Sequence, residues 1–318
     1  MKRIFTFLFV GLLFTTSSYG QISEVGVGIG ATNFLGDLGK KSSGMNLYFG
    51  DIDGSIFRPG ASVFYRTSLH NYVAVKVALS YGQFAGDDRL ARSQEMMDDD
   101  WFRSYRNLSF KSHIVELGVS SEVHIMRYRP GSLKDRMTPY VVGGINALYF
   151  NPKAEYNGEW VGLRNLGTEG QGMPGYGKKY SLIQPTITVG IGFKYNINKY
   201  IALGVEFGHR ITFTDYLDDV STVYPSEDDI YAYYGIERAD LVQGLSVRSG
   251  ENDPEGEFSY ITEEGQYRGN PNGNDAYLMS MLTVTYRFSK NDVDKLYGNP
   301  FNKKKRLKRM SNYRRMAR

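Results

Sequence analysis

Residues 182–213 run LIQPTITVGIGFKY, then NINK, then YIALGVEFGHRITF. In both long stretches the apolar residues stand at every second place: Ile187, Val189, Ile191, Phe193 and Tyr195, then Ile201, Leu203, Val205 and Phe207. Thr188, Gly190, Lys194, Gly204, Glu206 and Arg210 fall on the opposite parity. A period of two sends alternate side chains to opposite faces of a strand. One face is therefore apolar and the other small or charged. Two such strands joined by the four residues Asn196–Lys199 read as a hairpin.

The same alternation returns along the chain. It predicts eight strands: Ile22–Ala31, Pro59–Ser68, Tyr72–Phe84, Phe110–Met126, Pro139–Phe150, Leu182–Tyr195, Tyr200–Phe213 and Tyr277–Phe288. These are long for a soluble sandwich, where about five or six residues is the mode. They suit a tilted membrane-spanning strand, which needs roughly 9–11 residues. The connections hold 27, three, 25, twelve, 31, four and 63 residues. Long and short loops alternate as in an outer-membrane barrel, with extended external loops and short periplasmic turns. The predicted fold is all-β: an eight-stranded antiparallel transmembrane up-and-down barrel, with both termini periplasmic.

Composition agrees. The 318 residues include no Cys, which excludes disulfide scaffolds, thiol nucleophiles, cysteine zinc sites and a lipidated N-terminal Cys. A mean hydropathy of −0.39 argues against a bundle of membrane helices but not against a barrel, whose strands are only half apolar. The sequence pI near 8.9 misleads. Setting aside Lys2, Arg3 and the ten bases between Lys295 and Arg318 leaves 26 bases against 34 acids. The body is acidic, and nucleic acid is not an expected partner.

Met1-Lys2-Arg3, the eleven apolar residues Ile4–Phe14 and the small residues that follow have the order of a secretory leader. The expected organisation is a signal peptide over 1–20, the barrel over 21–288 and a basic periplasmic tail over 289–318, in the outer membrane.

The apolar faces are expected to meet lipid: Val73, Val75, Val77, Leu79 and Tyr81; Val115, Leu117, Val119, Val123 and Ile125; Leu282, Val284, Tyr286 and Phe288; and the hairpin residues already named. The other face carries three acids, Glu116, Glu122 and Glu206, and five bases, Arg66, Lys76, Lys194, Arg210 and Arg287. An eight-stranded barrel is just wide enough inside for side chains. These charges are expected to pair into a lumen plug, because an unpaired buried charge is strongly destabilising. A substrate or ion path is the alternative. The strand at Pro139–Phe150 alternates poorly, and its faces stay unassigned.

Catalytic and metal chemistry find little support. His70, His113, His124 and His209 show no metal-ligand spacing. Ser121 and His124 fall on opposite faces of one strand, which separates them as a nucleophile–base pair. Neither a cofactor nor a catalytic residue is expected, and a lipid-modifying barrel enzyme is the weakest reading. The acid runs Asp98–Asp100 and Glu227–Asp229 lack calcium-loop spacing and read as solvated external surface. The glycine cluster Gly167–Gly177 reads as an external loop. The last loop, Thr214–Ala276, carries fifteen acids and three bases. The tail residues Lys303, Lys304, Lys305, Arg306, Lys308, Arg309, Arg314 and Arg315 could dock an acidic periplasmic partner or lie against anionic lipid heads.

Three motifs are distinctive: Gly30–Leu38, which includes Gly36 and Asp37; His209–Ser221, which includes Asp215, Tyr216, Asp218 and Asp219; and Arg268-Gly269-Asn270-Pro271. Together they resemble the PorG family, outer-membrane barrels of the type IX secretion and gliding machinery of Bacteroidota. The resemblance covers the mature chain to about Lys290. It implies a non-catalytic role, in which the barrel anchors a periplasmic ring built from a ring lipoprotein and its partner. Asp215 and Asp219 are expected to cap turns through Asx bonds.

Overall fold

A computed structural model describes residues 22–38, 58–91 and 97–288. The predicted signal peptide and basic tail lie outside the described residues, as does most of the first external loop.

Ten strands form one antiparallel sheet: β1 (Ile22–Leu35), β2 (Arg58–His70), β3 (Val73–Asp87), β4 (Ser109–His124), β5 (Met137–Tyr149), β6 (Pro152–Tyr156), β7 (Glu159–Gly162), β8 (Ile183–Asn196), β9 (Ile201–Thr212) and β10 (Ala276–Phe288). Eight of them close into a barrel in chain order, β1-β2-β3-β4-β5-β8-β9-β10, and β10 pairs back onto β1 from Leu35↔Ala276 to Ser23↔Phe288. Closure leaves no unpaired edge in the spanning region, as a bilayer requires. The eight predicted strands are the eight barrel strands, with ends shifted by a few residues. The hairpin β6–β7 stands outside the barrel and extends β4 through Lys111↔Lys153.

The outer surface of the barrel is apolar. Ile29, Ile125, Ile145, Ile191 and Leu282 are each more than 60% exposed. Residues this apolar on such a surface are matched by lipid rather than water. β5 shows why its faces were hard to assign. Its inward set is Tyr140, Val142, Gly144, Asn146 and Leu148, of which Val142 and Leu148 are as apolar as the outward Val141 and Ile145.

Glycine in the lumen makes room for rings from the neighbouring strand. A Cβ on Gly26 would fall 2.2 Å from Cζ of Phe64, so β1 is bare where the β2 ring crosses it.

At the long-loop end the barrel continues into a packed cap. The sequence suggested solvated loops; the structure instead shows one hydrophobic core shared by strand ends and loops. Phe34, Phe84, Phe110, Ile114, Leu148, Phe150 and Tyr277 pack with Leu166, Leu217, Val220, Ile230, Val242 and Leu245. Three short helices belong to this cap: α1 (Asp99–Arg106), α2 (Glu227–Tyr234) and α3 (Ile236–Ser246). The two acid runs are their beginnings. Asp98 caps α1 by accepting from Trp101 N at 2.7 Å, and Glu227, Asp228 and Asp229 form the first turn of α2. Carboxylates there favour the positive end of the helix dipole.

Candidate functional site

Two buried polar constellations fill the molecule, one in the lumen and one in the cap.

The lumen network centres on Glu122, which is fully buried near the short-turn end of β4. Arg66 Nε lies 3.2 Å from Glu122 Oε1 and Lys76 Nζ lies 3.7 Å from it. Lys194 donates to Oε2, and His124 Nε2 stands 3.8 Å away. Arg66 also reaches Glu24 Oε2 at 3.4 Å. Lys76 crosses to Glu206 Oε2 at 2.5 Å, which also accepts from the Tyr140 hydroxyl at 2.8 Å. Aromatic faces complete the surroundings, with Lys194 Nζ 4.7 Å from the Tyr140 ring centre and 5.0 Å from that of Tyr128. Higher in the barrel, Arg210 Nη2 pairs with Glu116 Oε1 at 3.4 Å, and Tyr277 donates to the other oxygen of Glu116.

Seven of the eight predicted lumen charges therefore meet inside, in two linked groups. Arg287 does not join them. Its Nη1 donates to the Pro130 carbonyl at 3.1 Å and braces the turn between β4 and β5. Glu24 is the missing member. It shares the parity of Gly26, Gly28 and Gly30, and that signal could have placed it inside. With Glu24 counted, four acids face four bases in the lumen among the described residues. A cavity of about 30 Å³ lies between Lys76, Glu116, Glu206 and Arg210, with room for a water or two.

In the cap, acidic side chains tie separate loops together by accepting from backbone N–H groups. Asp37 Oδ2 accepts from Asn270 N at 2.6 Å, and Asp218 Oδ2 accepts from Leu38 N at 3.2 Å. Asp275 Oδ2 accepts from Leu217 N at 2.8 Å. Gly36 lies where a Cβ would meet Asp275 Oδ1 at 2.1 Å, which accounts for a glycine in that motif. Glu169 accepts from Ser221 N and Thr222 N at 2.8 and 3.0 Å and pairs with Arg268 at 3.1 Å. Arg268 in turn donates to the Asp219 carbonyl at 2.6 Å. Arg106 clasps Asp88 with two hydrogen bonds of 2.8 and 3.0 Å and donates to the Asp37 carbonyl at 2.9 Å.

The expected Asx turn belongs to a different residue. Asp218 makes it, with Val220 N donating to Oδ1 at 3.0 Å. Asp219 instead takes a left-handed conformation, φ +70°, and accepts from the hydroxyls of Tyr180 and Thr168. Neighbouring Tyr216 stacks on Tyr180 at 4.9 Å between ring centres. Asp215 is buried beside this turn, and its Oδ2 has no hydrogen-bond partner.

Burial raises these carboxyls. Asp215 is pushed up to about 7; a hydrogen bond with Ser221 opposes the shift, and the Asp37 and Glu169 charges add to it. Asp219 is pushed up to about 6 against the pull of Arg268 and its hydroxyl partners. Asp218 and Asp275 are raised well above the usual carboxylate range, because each is buried among other acids.

Neither constellation is arranged as a catalytic or metal centre. Ser121 points outward and His124 inward. Among the described residues no three His, Asp or Glu side chains converge to hold a metal ion. The predicted tail contacts, Lys303 to Arg315, lie outside the described residues.

Comparison with known proteins adds a family. A model described as a domain of unknown function (DUF6089) matches residues 2–238. No curated protein matches the chain. Among solved structures, Ail, the attachment invasion locus protein of Yersinia pestis, was crystallised with the heparin analogue sucrose octasulfate. Its match is 10% identical, covers 84% of this chain and 99% of that one, and has a TM-score of 0.37. The N-terminal β-barrel domain of Pseudomonas aeruginosa OprF is 11% identical over 84% and 97% of the two chains, with a TM-score of 0.31. A major outer membrane protein from Thermus thermophilus is 12% identical over 85% and 100%, with a TM-score of 0.35. The family match spans most of the chain, and the chain belongs to the DUF6089 family.

Proposed function

We propose that this DUF6089 member is a non-catalytic structural barrel of the outer membrane that serves as an adaptor of the type IX secretion and gliding machinery. In that role it anchors the periplasmic ring, a ring lipoprotein and its partner, at the membrane. The observation that carries the structural part is the occupied lumen. Buried charges with opposite-sign partners line its interior, and a hydrophobic cap packs over its upper mouth. A barrel closed in this way presents chemistry to partners at its two ends and not through its interior.

The finer role is supported by the resemblance of Gly30–Leu38, His209–Ser221 and Arg268–Pro271 to the PorG family. The contacts proposed for the ring are the short turns and the basic run from Lys303 to Arg315. The test is an affinity pull-down of the tagged protein from detergent-solubilised outer membranes, with and without residues 303–318. Recovery of a ring lipoprotein and its partner supports the adaptor role. Salt-sensitive loss on truncation places the contact in the tail. Recovery of the barrel alone overturns the adaptor role and leaves a stand-alone structural barrel. That second reading is favoured by the plug and cap themselves, which are complete within one chain.

A further inference from the structure

The rim formed by the short turns has a charge pattern unlike the lumen's. The turn after β4 and the turn after β8 carry Arg127, Arg129, Lys134, Arg136 and Lys199 against a single acid, Asp135. Asp135 is occupied by Arg127, with Nε to Oδ2 at 3.4 Å. Arg129, Lys134, Arg136 and Lys199 make no ion pair with any described residue. The lumen bases, by contrast, each meet a carboxylate.

These bases, which meet no carboxylate among the described residues, stand at the edge of the lipid-facing band. The Arg136 guanidinium lies 5.4 Å above the ring of Tyr195 and donates to its hydroxyl at 2.8 Å. Lys199 precedes Tyr200, which is exposed and stacks on the exposed Tyr286 at 6.3 Å. Arg127 follows Ile125 and Met126, both exposed on the same border. Aromatic rings of this kind sit at headgroup level, and long basic side chains beside them reach the same depth. β10 ends at Phe288 on this rim, and the sequence after it holds ten bases and no acid between Lys295 and Arg318.

We propose that the short-turn rim is a docking collar for anionic phospholipid headgroups of the adjoining leaflet. Arg129, Lys134, Arg136 and Lys199 supply charge-assisted hydrogen bonds to phosphate oxygens, and Tyr195, Tyr200 and Tyr286 fix the depth. Lipid is favoured over an acidic protein because the bases flank residues that already face the bilayer. The collar is independent of the secretion role.

The test is native mass spectrometry of the full chain in detergent with equal amounts of phosphatidylglycerol and phosphatidylcholine. Wild type is expected to retain phosphatidylglycerol at least about tenfold over phosphatidylcholine, a factor that two bases at a membrane surface already supply. A variant with Arg129→Gln, Lys134→Gln, Arg136→Gln and Lys199→Gln is expected to approach parity, its folding checked by heat-dependent gel mobility. Should the fourfold variant fail to fold, Lys134→Gln with Lys199→Gln, both on the exposed surface, is expected to lose part of the preference. Equal retention by wild type, or an unchanged preference in a folded variant, overturns the collar. Unchanged lipid preference with loss of an acidic protein in a pull-down assigns the rim to that protein instead.

Discussion

Lys76 on β3 and Glu206 on β9 meet at 2.5 Å across the lumen, although their strands are not neighbours in the barrel wall. The contact spans the interior. Backbone pairing already holds the wall, so such contacts fill the barrel and fix its cross-section.

The keystone of that filling is Glu122, where Arg66, Lys76 and Lys194 converge. Replacing it by Ala leaves three buried cations with less compensation. We expect Glu122→Ala to lose about 3–5 kcal/mol of stability, the range for breaking a buried ion pair. Urea unfolding in lipid vesicles, followed by tryptophan fluorescence, checks this. A loss below about 1 kcal/mol, the level of an exposed pair, would mean that water reaches the site.

The cap should open locally without unfolding the barrel. Arg268 and Glu169 are both nearly fully buried and tie the last loop to the loop before β8. Arg268→Ala removes the ion pair and the bonds to the Asp219 and Ser246 carbonyls. We expect faster amide exchange and protease cleavage in the external loops by tenfold or more, on the order of a broken buried pair. Heat-dependent gel mobility, which reports the barrel, should stay as in wild type.

The cap should also loosen as pH rises. Asp215 has a folded-state value of about 7 against an ordinary 3.8, so the folded state holds its proton more tightly than the unfolded state does. Stability from this group is present at low pH. It falls as pH rises from about 4 towards 7 and is then lost. The groups facing Asp215 are Ser221, Asp37 and Glu169. Asp219 contributes in the same sense up to about 6, facing Arg268, Thr168, Tyr180 and Glu169. Proteolysis of the external loops across pH 4 to 8 should show increasing cleavage, and Asp215→Asn should reduce that rise between about pH 4 and 7. A cap that tightens with pH would contradict the burial of these acids.

The barrel was legible in the sequence because its signal is local. Period-two alternation in Val73–Tyr81 or Ile187–Tyr195 needs no knowledge of distant residues. Loop asymmetry then set the topology. The parity that puts Lys76 and Glu206 opposite their apolar neighbours also put them inside, but which acid meets which base depends on strand stagger and could not be read. Strand β5 hid its faces because Val142 and Leu148 point inward, Leu148 into the core of the cap and Val142 at the level of Glu122. The cap itself was illegible for the opposite reason. Its ties join residues far apart in the chain, such as Asp37 to Asn270 and Asp218 to Leu38. Only helix starts left a local trace, in Asp98 before Trp101 and in the acids after Ser226.

Conductance across a planar lipid bilayer tests the central claim most directly. The barrel holds a plug of partnered charges below, a cavity for a water or two in the middle and a packed cap above. Purified, refolded protein should therefore insert without producing discrete current steps at neutral pH under either polarity. Reproducible channel steps from the folded wild-type barrel would contradict it, because they would require a continuous water path where the structure places Glu122 and its three cations.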